Sequence, residues 1–241
     1  MPIERIHYTA GSLPCIGALV YGANVPQDAP LLLVSTNWNG LGDDALRQAE
    51  QIARDRYVVF VADMYGHGKV AGGHEEAASL ANAVRGDTRE RRLRIGAGYE
   101  AMLDAARARN IGDTRRTAAM GFCFGGGNVL ELARAGAPLS AAISLHGDLT
   151  SPEPATPGSI KPALLVLHGG ADPVAPKAQR DAFEAEMNTA GADWSMLTFG
   201  GVLHSFAEEG PAVPGVAEYH ARSARLSFGL IDRFLDEAWD A

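Results

Sequence analysis

One stretch of the sequence, residues 121–127, limits the fold most strongly, because it has to turn a strand directly into a helix. An apolar run over 117–120 precedes it, and apolar residues at helical spacing follow it over 128–134. Its first five residues fit the pattern glycine, any residue, nucleophile, any residue, glycine, which places the nucleophile on a sharp strand-to-helix turn. Cys123 occupies the position of the nucleophile.

Cys123 has two interpretations at this stage. At a helix start, unpaired backbone N–H groups and the positive end of the helix dipole favour a thiolate, which would make Cys123 reactive. Alternatively, it is a buried structural cysteine in a glycine-rich turn, since free cysteine is among the most buried residue types. The only other cysteine is Cys15, so neither a disulfide framework nor a zinc site is expected.

Around this stretch the chain alternates strand and helix patterns. Strands are predicted over 31–35, 57–62, 117–120, 139–145, 163–167 and 194–199, with an antiparallel hairpin over 3–8 and 16–20. Helices are predicted over 43–54, 87–110, 128–134, 178–189 and 221–239, the last with Leu226, Leu230, Ile231, Phe234 and Leu235 facing inward. This alternation indicates an α/β fold, with a mostly parallel central sheet, helices on both faces and amino-terminal antiparallel edge strands.

The segment 63–86 interrupts the alternation. Its glycine, histidine, alanine and lysine residues show neither strand nor helix periodicity, so it is predicted to be irregular. A long irregular segment is often a functional loop or lid. The segment is therefore a candidate pocket wall.

The length, composition and net charge of the chain limit its domain number, its location and its main partner. A chain of 241 residues that is 46% hydrophobic suits a single α/β domain over residues 1–241. Residues 1–5 carry no apolar stretch of signal-peptide length and no window approaches a membrane span, so a cytoplasmic location is expected. A formal net charge of −8 argues against nucleic acid or an anionic membrane as the main partner.

Partners for Cys123 are expected at the carboxyl ends of strands, where open parallel sheets carry their chemistry. Asp172 follows the strand predicted over 163–167, and His204 follows the strand predicted over 194–199. The order Cys123, Asp172, His204 is the order nucleophile, acid, histidine that is typical of the α/β-hydrolase fold. The spacing thus predicts a catalytic triad.

Asp172 and His204 also have structural interpretations. Asp172 could be a turn former and His204 a satisfied core histidine. Asp148 is an alternative acid, and His146, which ends the strand predicted over 139–145, could face the site. Both rank behind the triad residues.

From residue 31 to the terminal helix, the sequence resembles the dienelactone hydrolase family. The resemblance lies in the segments 121–126, 168–173 and 204–206. It implies a carboxylic ester hydrolase of the carboxymethylenebutenolidase type, with Cys123, Asp172 and His204 as its triad. In that family the nucleophile attacks an ester or enol-lactone carbonyl, an acyl-enzyme forms, and water releases the acid without a metal or cofactor.

The acyl oxygen needs two preorganised N–H donors beside the nucleophile. The predicted donors are the backbone N–H groups of Phe124 and of Trp38, which lies in the loop after the strand over 31–35. An apolar site with few polar groups is the usual composition of a pocket. The predicted pocket residues are Asn37, Trp38, Tyr65 and Phe206.

The sequence departs from the family at two positions. Well-known members carry a glutamate where Asn37 stands, and that carboxylate helps to control the ionisation of the thiol, so a direct Cys123–His204 ion pair is expected here instead. Members also hold a substrate carboxylate with an arginine just beyond the catalytic histidine, where this chain has Glu208. The dienelactone itself is therefore in doubt as the substrate.

Three functions remain open. The first is hydrolysis of a small-molecule ester or lactone, the second a general short-chain carboxylesterase or thioesterase for uncharged substrates, and the third a non-catalytic binding protein. A homodimer is left open. An arginine cluster could supply an anion site, although a solvated helix start is favoured: Arg85, Arg89, Arg91, Arg92 and Arg94.

Overall fold

The structure is a computed structural model that describes residues 3–210 and 212–240. The strands are β1 (Ile3–Ala10), β2 (Leu13–Val20), β3 (Pro30–Ser35), β4 (Val58–Ala62), β5 (Asp113–Phe122), β6 (Ala141–Leu145), β7 (Ala163–Gly169) and β8 (Trp194–Phe199). The helices are α1 (Asp43–Ala53), α2 (His74–Arg85), α3 (Thr88–Arg109), α4 (Phe124–Arg134), α5 (Lys177–Ala190) and α6 (Ala221–Asp240). Over the described ranges, each helix is too short or too polar to span a bilayer.

The strands form one sheet in the order β1-β2-β4-β3-β5-β6-β7-β8. β2 pairs antiparallel with both β1 and β4, whereas β3 with β4, β6 with β7, and β7 with β8 pair in parallel. Every residue of β3, β4 and β6 is buried, as expected of parallel strands that are covered on both faces. The predicted α/β-hydrolase fold, with antiparallel strands at its amino-terminal edge, is confirmed.

The contacts divide the chain into two compact units, Met1–Ala119 and Met120–Ala241. The boundary falls inside β5, in the apolar run that precedes Cys123. The single domain expected over residues 1–241 stays a prediction.

In the first unit, the expectation of an irregular segment over 63–86 is wrong for its second half, which forms α2. The face that α2 buries consists of the small residues Ala77 and Ala81 together with Val84. Alanine is the best helix former, but it adds little hydrophobicity, so the helical period is weak in the sequence. The helix was missed for that reason.

The first half of that segment is a loop organised by the buried carboxylate of Asp63. The carboxylate accepts backbone N–H groups of Ile16, Tyr65, Gly66 and Gly68 at 2.7–3.0 Å. Hydrogen bonds to a charged acceptor are roughly twice as strong as neutral ones. Three of them fix the turn of the loop itself and the fourth, from Ile16, anchors it to β2, which argues against a freely moving lid.

The start of α3 corrects the interpretation of the arginine cluster. Asp87 caps the helix by accepting the N–H of Glu90 at 2.9 Å, as the capping-box spacing predicts. Arg94 donates to the Glu90 carboxylate at 2.8 Å and to the Met64 carbonyl at 2.9 Å, and Arg91 is buried. A solvated helix start is therefore wrong for Arg91 and Arg94.

In the second unit, α6 packs a narrower face than the sequence predicted. Ser227, Ile231 and Leu235 recur every four residues and are buried, which confirms the inward direction of the last two. Leu226 is 52% exposed, so its predicted inward position is wrong. It lies one residue before this row and therefore points away from it.

A buried ion cluster joins α4 to α5. The guanidinium of Arg134 donates to Glu131 at 3.0 Å, to both carboxylate oxygens of Glu186 at 2.8 Å and to the Leu149 carbonyl at 2.6 Å. Burial alone would lower the pKa of Arg134, but the two glutamates outweigh it and raise that pKa. Arg134 therefore stays charged and ties two helices to the loop after β6.

Arg134→Met should destabilise the protein strongly, because it leaves the buried carboxylate of Glu131 and the half-buried carboxylate of Glu186 without their cation. Breaking a buried ion pair by removing one partner costs about 3–5 kcal/mol in the free energy of unfolding. Urea denaturation measures this loss. Arg107→Met is the matched control, since its ion pair with Asp104 is exposed and worth less than about 1 kcal/mol. Equal losses in the two variants would contradict a stabilising role for the cluster.

Candidate active site

Cys123 is the single residue between β5 and α4. Its φ of 52° and ψ of −117° lie in a region that residues other than glycine rarely adopt, as expected of a strained nucleophile turn. A Cβ atom on Gly121 would lie 2.1 Å from the carbonyl oxygen of Gly125, so only glycine allows the helix to start this close to the strand. The predicted turn is therefore present, with Cys123 half-buried at its corner.

The structure brings the three predicted triad side chains together. His204, in the turn after β8, has its Nε2 atom 3.1 Å from Cys123 Sγ. Its Nδ1 atom is 2.8 Å from Asp172 Oδ2, on the turn after β7. Asp172 and His204 are both buried. The three side chains form one continuous chain of hydrogen bonds.

The charges of these groups support one another. Burial by itself disfavours a charged His204, but its hydrogen bonds to Asp172 and Cys123 outweigh burial and raise the pKa of His204 to about 10. At neutral pH, His204 is therefore an imidazolium that donates Nδ1–H to Asp172 and Nε2–H to Cys123 Sγ. Burial would raise the pKa of Asp172, yet the His204 hydrogen bond and backbone donors hold that pKa below its usual value. The arrangement keeps a proton at Nε2, beside the sulfur.

Asp172 combines the two roles that the sequence left open. Its Oδ1 atom accepts the N–H groups of Val174 at 2.8 Å and Ala175 at 3.1 Å, which builds the turn. Its Oδ2 atom remains for His204. The buried His168 Nε2 bonds the Ala175 carbonyl at 2.8 Å and closes the same turn. Asp172 is thus a turn former and the partner of His204 at once, whereas Asp148 lies after β6, half-buried.

His146 lies deeper in the site than the sequence ranking implied. It follows β6 directly, is fully buried, and its Nδ1 atom accepts the N–H of Cys123 at 3.1 Å. Its ring also meets that of His204 edge to face, with centroids 5.3 Å apart. In the sequence, the one indication of a role for His146 is its position at the carboxyl end of a strand. That position does not predict which atom His146 contacts.

Two residues that the sequence singles out, Phe206 and Glu208, follow His204. Phe206, predicted as a pocket residue, is fully buried and packs edge to face on His146 and on Phe199, each at 5.2 Å. It supports the histidines from within the core. Glu208 has a side chain that is 13% exposed, and its Oε2 atom lies 3.8 Å from His146 Nε2. A carboxylate therefore occupies the edge of this site.

The remaining predicted pocket residues belong to the first unit. Tyr65 donates its hydroxyl hydrogen to the Trp38 carbonyl at 2.7 Å, and the Trp38 ring stacks on His74 with centroids 5.8 Å apart. Asn37 accepts the N–H of Asn39 through Oδ1 at 3.0 Å, which fixes the loop after β3. The oxyanion and pocket roles of these residues, and the oxyanion role of Phe124, stay predictions.

The two cysteines are chemically distinct. Both are free thiols, Cys123 half-buried and Cys15 buried in β2. Burial, followed by the Asp63 carboxylate, raises the pKa of the Cys15 thiol, so this residue should be inert. In the part of the chain that the structure describes, no group of three or more His, Cys, Asp or Glu side chains could hold a metal ion.

Comparison with known families decides the relationship. The model of the dienelactone hydrolase family matches residues 16–238, which include the strand-to-helix turn at Cys123 (the elbow) and the turns that carry Asp172 and His204. The chain belongs to the dienelactone hydrolase family. It is accordingly a member of a hydrolase family with the α/β-hydrolase fold.

Several relatives of this dienelactone hydrolase family member extend the comparison. A solved structure named m3DLH is 31% identical, with a TM-score of 0.87, and the match covers 99% of this chain and 98% of the other. A dienelactone hydrolase-like promiscuous phosphotriesterase from metagenomic libraries is 30% identical, with a TM-score of 0.84 and the same coverage. An uncharacterised protein of Caenorhabditis elegans is 32% identical over 157 residues, 63% of this chain and 99% of its own length.

Proposed function

We propose that this family member is a cysteine hydrolase that cleaves a small-molecule ester or enol-lactone bond through a covalent acyl-enzyme. The observation that supports this most directly is the hydrogen-bond chain from Cys123 Sγ through His204 to Asp172, at 3.1 and 2.8 Å. A nucleophile within hydrogen-bond reach of a base, with the base oriented by a third group, is the signature of nucleophilic catalysis.

In the first step, the thiolate of Cys123 attacks the carbonyl carbon of the substrate. A carbon–sulfur bond forms and the carbonyl π electrons move to oxygen. When the tetrahedral intermediate collapses, the carbon–oxygen bond to the leaving group breaks, and His204 gives its Nε2 proton to the departing alkoxide or enolate. A thioester on Cys123 and a neutral His204 remain.

In the second step, water replaces the leaving group. The neutral Nε2 atom of His204 takes a proton from water as the oxygen attacks the thioester carbonyl. Collapse of this intermediate releases the carboxylic acid and restores the thiolate and the imidazolium, so protons balance over the cycle. Asp172 stabilises the imidazolium in both steps.

The developing oxyanion needs donors that are in place before the reaction. The proposed donors are the backbone N–H groups of Phe124, the first residue of α4, and of Trp38. The proposed pocket residues are still Asn37, Trp38, Tyr65 and Phe206. Asn37 and Tyr65 fix the Trp38 loop, the first through the N–H of Asn39 and the second through the Trp38 carbonyl. The pocket would bind the acyl group of a small substrate.

A second candidate is a short-chain carboxylesterase or thioesterase for uncharged substrates. Glu208 favours it, because a carboxylate 3.8 Å from His146 at this site repels an anionic substrate. A relative 30% identical in sequence is named as a promiscuous phosphotriesterase, and phosphotriesters are also uncharged. A neutral triester is therefore a suitable additional probe.

A hydrolysis screen tests both candidates. It pairs lactones, aryl esters, thioesters and an aryl phosphotriester, each acyl substrate with and without an appended carboxylate. We expect hydrolysis with a preference for the uncharged member of each pair. Glu208→Arg should shift the ratio of kcat/KM towards the carboxylate-bearing member, because it replaces a negative charge at the edge of the site by a positive one; a change of about 1.4 kcal/mol corresponds to about tenfold.

Glu209→Gln is the matched control for that shift, because Glu209 is exposed next door. A preference of the wild type for carboxylate-bearing lactones would remove the second candidate and retain the first. No hydrolysis of any substrate would refute both and leave a binding protein.

A further inference from the structure

A buried histidine holds the backbone of the proposed nucleophile. The N–H of Cys123 is shared between two acceptors, the Leu145 carbonyl at 3.0 Å and His146 Nδ1 at 3.1 Å. His146 itself has a φ of 39°, so two strained residues face each other through this bond. Strain of this kind persists only where the surroundings hold it in place.

The contact with Cys123 fixes the tautomer of His146. Because Nδ1 accepts a hydrogen, the proton of the neutral ring must lie on Nε2. Among residues 3–210 and 212–240, no acceptor lies within hydrogen-bond distance of that atom, and the nearest charged oxygen is Glu208 Oε2 at 3.8 Å. A proton on Nδ1 would instead set one donor against another and break the bond to Cys123.

The surroundings of His146 favour the neutral ring. Burial, then His204 and His168, lower its pKa well below the usual value. The groups that face it are His204 and Glu208 from the segment after β8, His168 from β7 and Cys123 from the elbow. A backbone hydrogen bond favours a charged ring, but burial and the two neighbouring histidines outweigh it. His146 is therefore neutral although the charged ring of His204 packs against it.

We propose that His146 is a positioning residue: as the neutral Nε2–H tautomer it anchors the Cys123 amide and so keeps Cys123 Sγ aligned with His204 Nε2. This role rests on the proposed function of Cys123 as the nucleophile. The proposed role also explains why a histidine occupies a position with positive φ. An apolar residue of similar size would be strained there and would offer no hydrogen-bond acceptor.

Three substitutions separate the acceptor from the backbone. His146→Asn keeps an oxygen acceptor in the place of Nδ1 and tolerates positive φ. His146→Leu removes the acceptor at similar size, and His146→Gly removes it while relieving any backbone strain. The measured quantities are kcat and KM for a neutral aryl ester, the alkylation rate of Cys123 by iodoacetamide, and the thermal unfolding midpoint.

His146→Asn should keep kcat within about threefold of wild type, whereas the leucine and glycine variants should lose about 10²-fold in kcat with little change in KM, as for a misplacement of about 1 Å. Their Cys123 alkylation should slow in parallel. Wild-type activity in both acceptor-free variants, or an equal loss in His146→Asn, would overturn the proposal. If the glycine variant is folded and active while the leucine variant is inactive, the loss of kcat in the leucine variant comes from backbone strain. That outcome would also overturn the proposal.

Nitrogen-15 NMR of the wild-type imidazoles gives a result that needs no variant. The His146 ring should show protonated Nε2 and unprotonated Nδ1 at neutral pH, and this state should persist when the pH falls below the ordinary histidine pKa of about 6.5. A ring protonated on Nδ1 refutes the proposal even if the variants do not fold. If the wild type hydrolyses no ester, the proposed function fails, and the tautomer and alkylation rates still decide the role of His146.

Discussion

Cys123→Ala should abolish ester hydrolysis while leaving the fold intact. Removing the nucleophile of a serine protease triad lowers kcat by about 10⁶, and an alanine here leaves His204 with no atom to activate. The loss should appear in kcat, because Cys123 reacts with the substrate and does not bind it through remote contacts. A burst of leaving group in pre-steady-state kinetics should vanish with it.

Alkylation identifies the same thiol by an independent route. Iodoacetamide should label Cys123 stoichiometrically and abolish activity, with mass spectrometry placing the label. Cys15 is the internal control, since it is buried and its pKa is raised. Cys15→Ser should therefore retain both activity and labelling. Wild-type turnover in Cys123→Ala would show that the nucleophile is another residue.

The elbow and the triad could be predicted because their information is local or follows from topology. The glycine at 121 is required by a close approach of 2.1 Å to the carbonyl oxygen of residue 125, and such a requirement leaves a pattern in the sequence. The strand ends that carry Asp172 and His204 follow from the parallel sheet, which fixes where each turn must lie. Given those positions, the residue types and their order along the chain were enough to predict the triad.

The contacts that were missed depend on which atoms meet. Asp63 binds four N–H groups that are spread over two segments, and nothing in its local sequence distinguishes it from a solvated loop aspartate. His146 was recognised as the end of a strand, but its bond to the Cys123 amide depends on a φ of 39°. Packing decides such contacts, and periodicity carries no trace of them.

Hydrophobic periodicity also failed in two opposite ways. It missed α2, whose buried face is largely alanine, because small side chains give a weak signal. It placed Leu226 inward, although the serines at 223 and 227 occupy that face instead. Where a helix packs through small residues, its buried positions are often not its most apolar ones. A prediction from hydrophobic periodicity is therefore least reliable for such helices.

Asp172→Asn should lower kcat by about 10⁴, as in the serine protease template, where the same change leaves the geometry intact but stabilises the wrong histidine tautomer. The asparagine Oδ1 atom can still accept the N–H groups of Val174 and Ala175, so the turn is preserved. Its amide group cannot accept the Nδ1 proton of His204, and the negative charge is gone. Asp148→Asn is the matched control and should retain activity.

The pH dependence separates this mechanism from simple damage to the site. In the wild type, His204 keeps its proton until the pH rises through about 10. Without the Asp172 charge and hydrogen bond, the pKa of His204 should fall towards the free value of about 6.5, so the alkaline limb of kcat/KM should move to lower pH. The ratio of wild-type to variant activity should then widen as the pH rises between these values. A constant ratio would show that Asp172 does not set the titration of His204, because only the group that shares the His204 proton can move it. A larger loss in Asp148→Asn would assign the orienting carboxylate to the loop after β6.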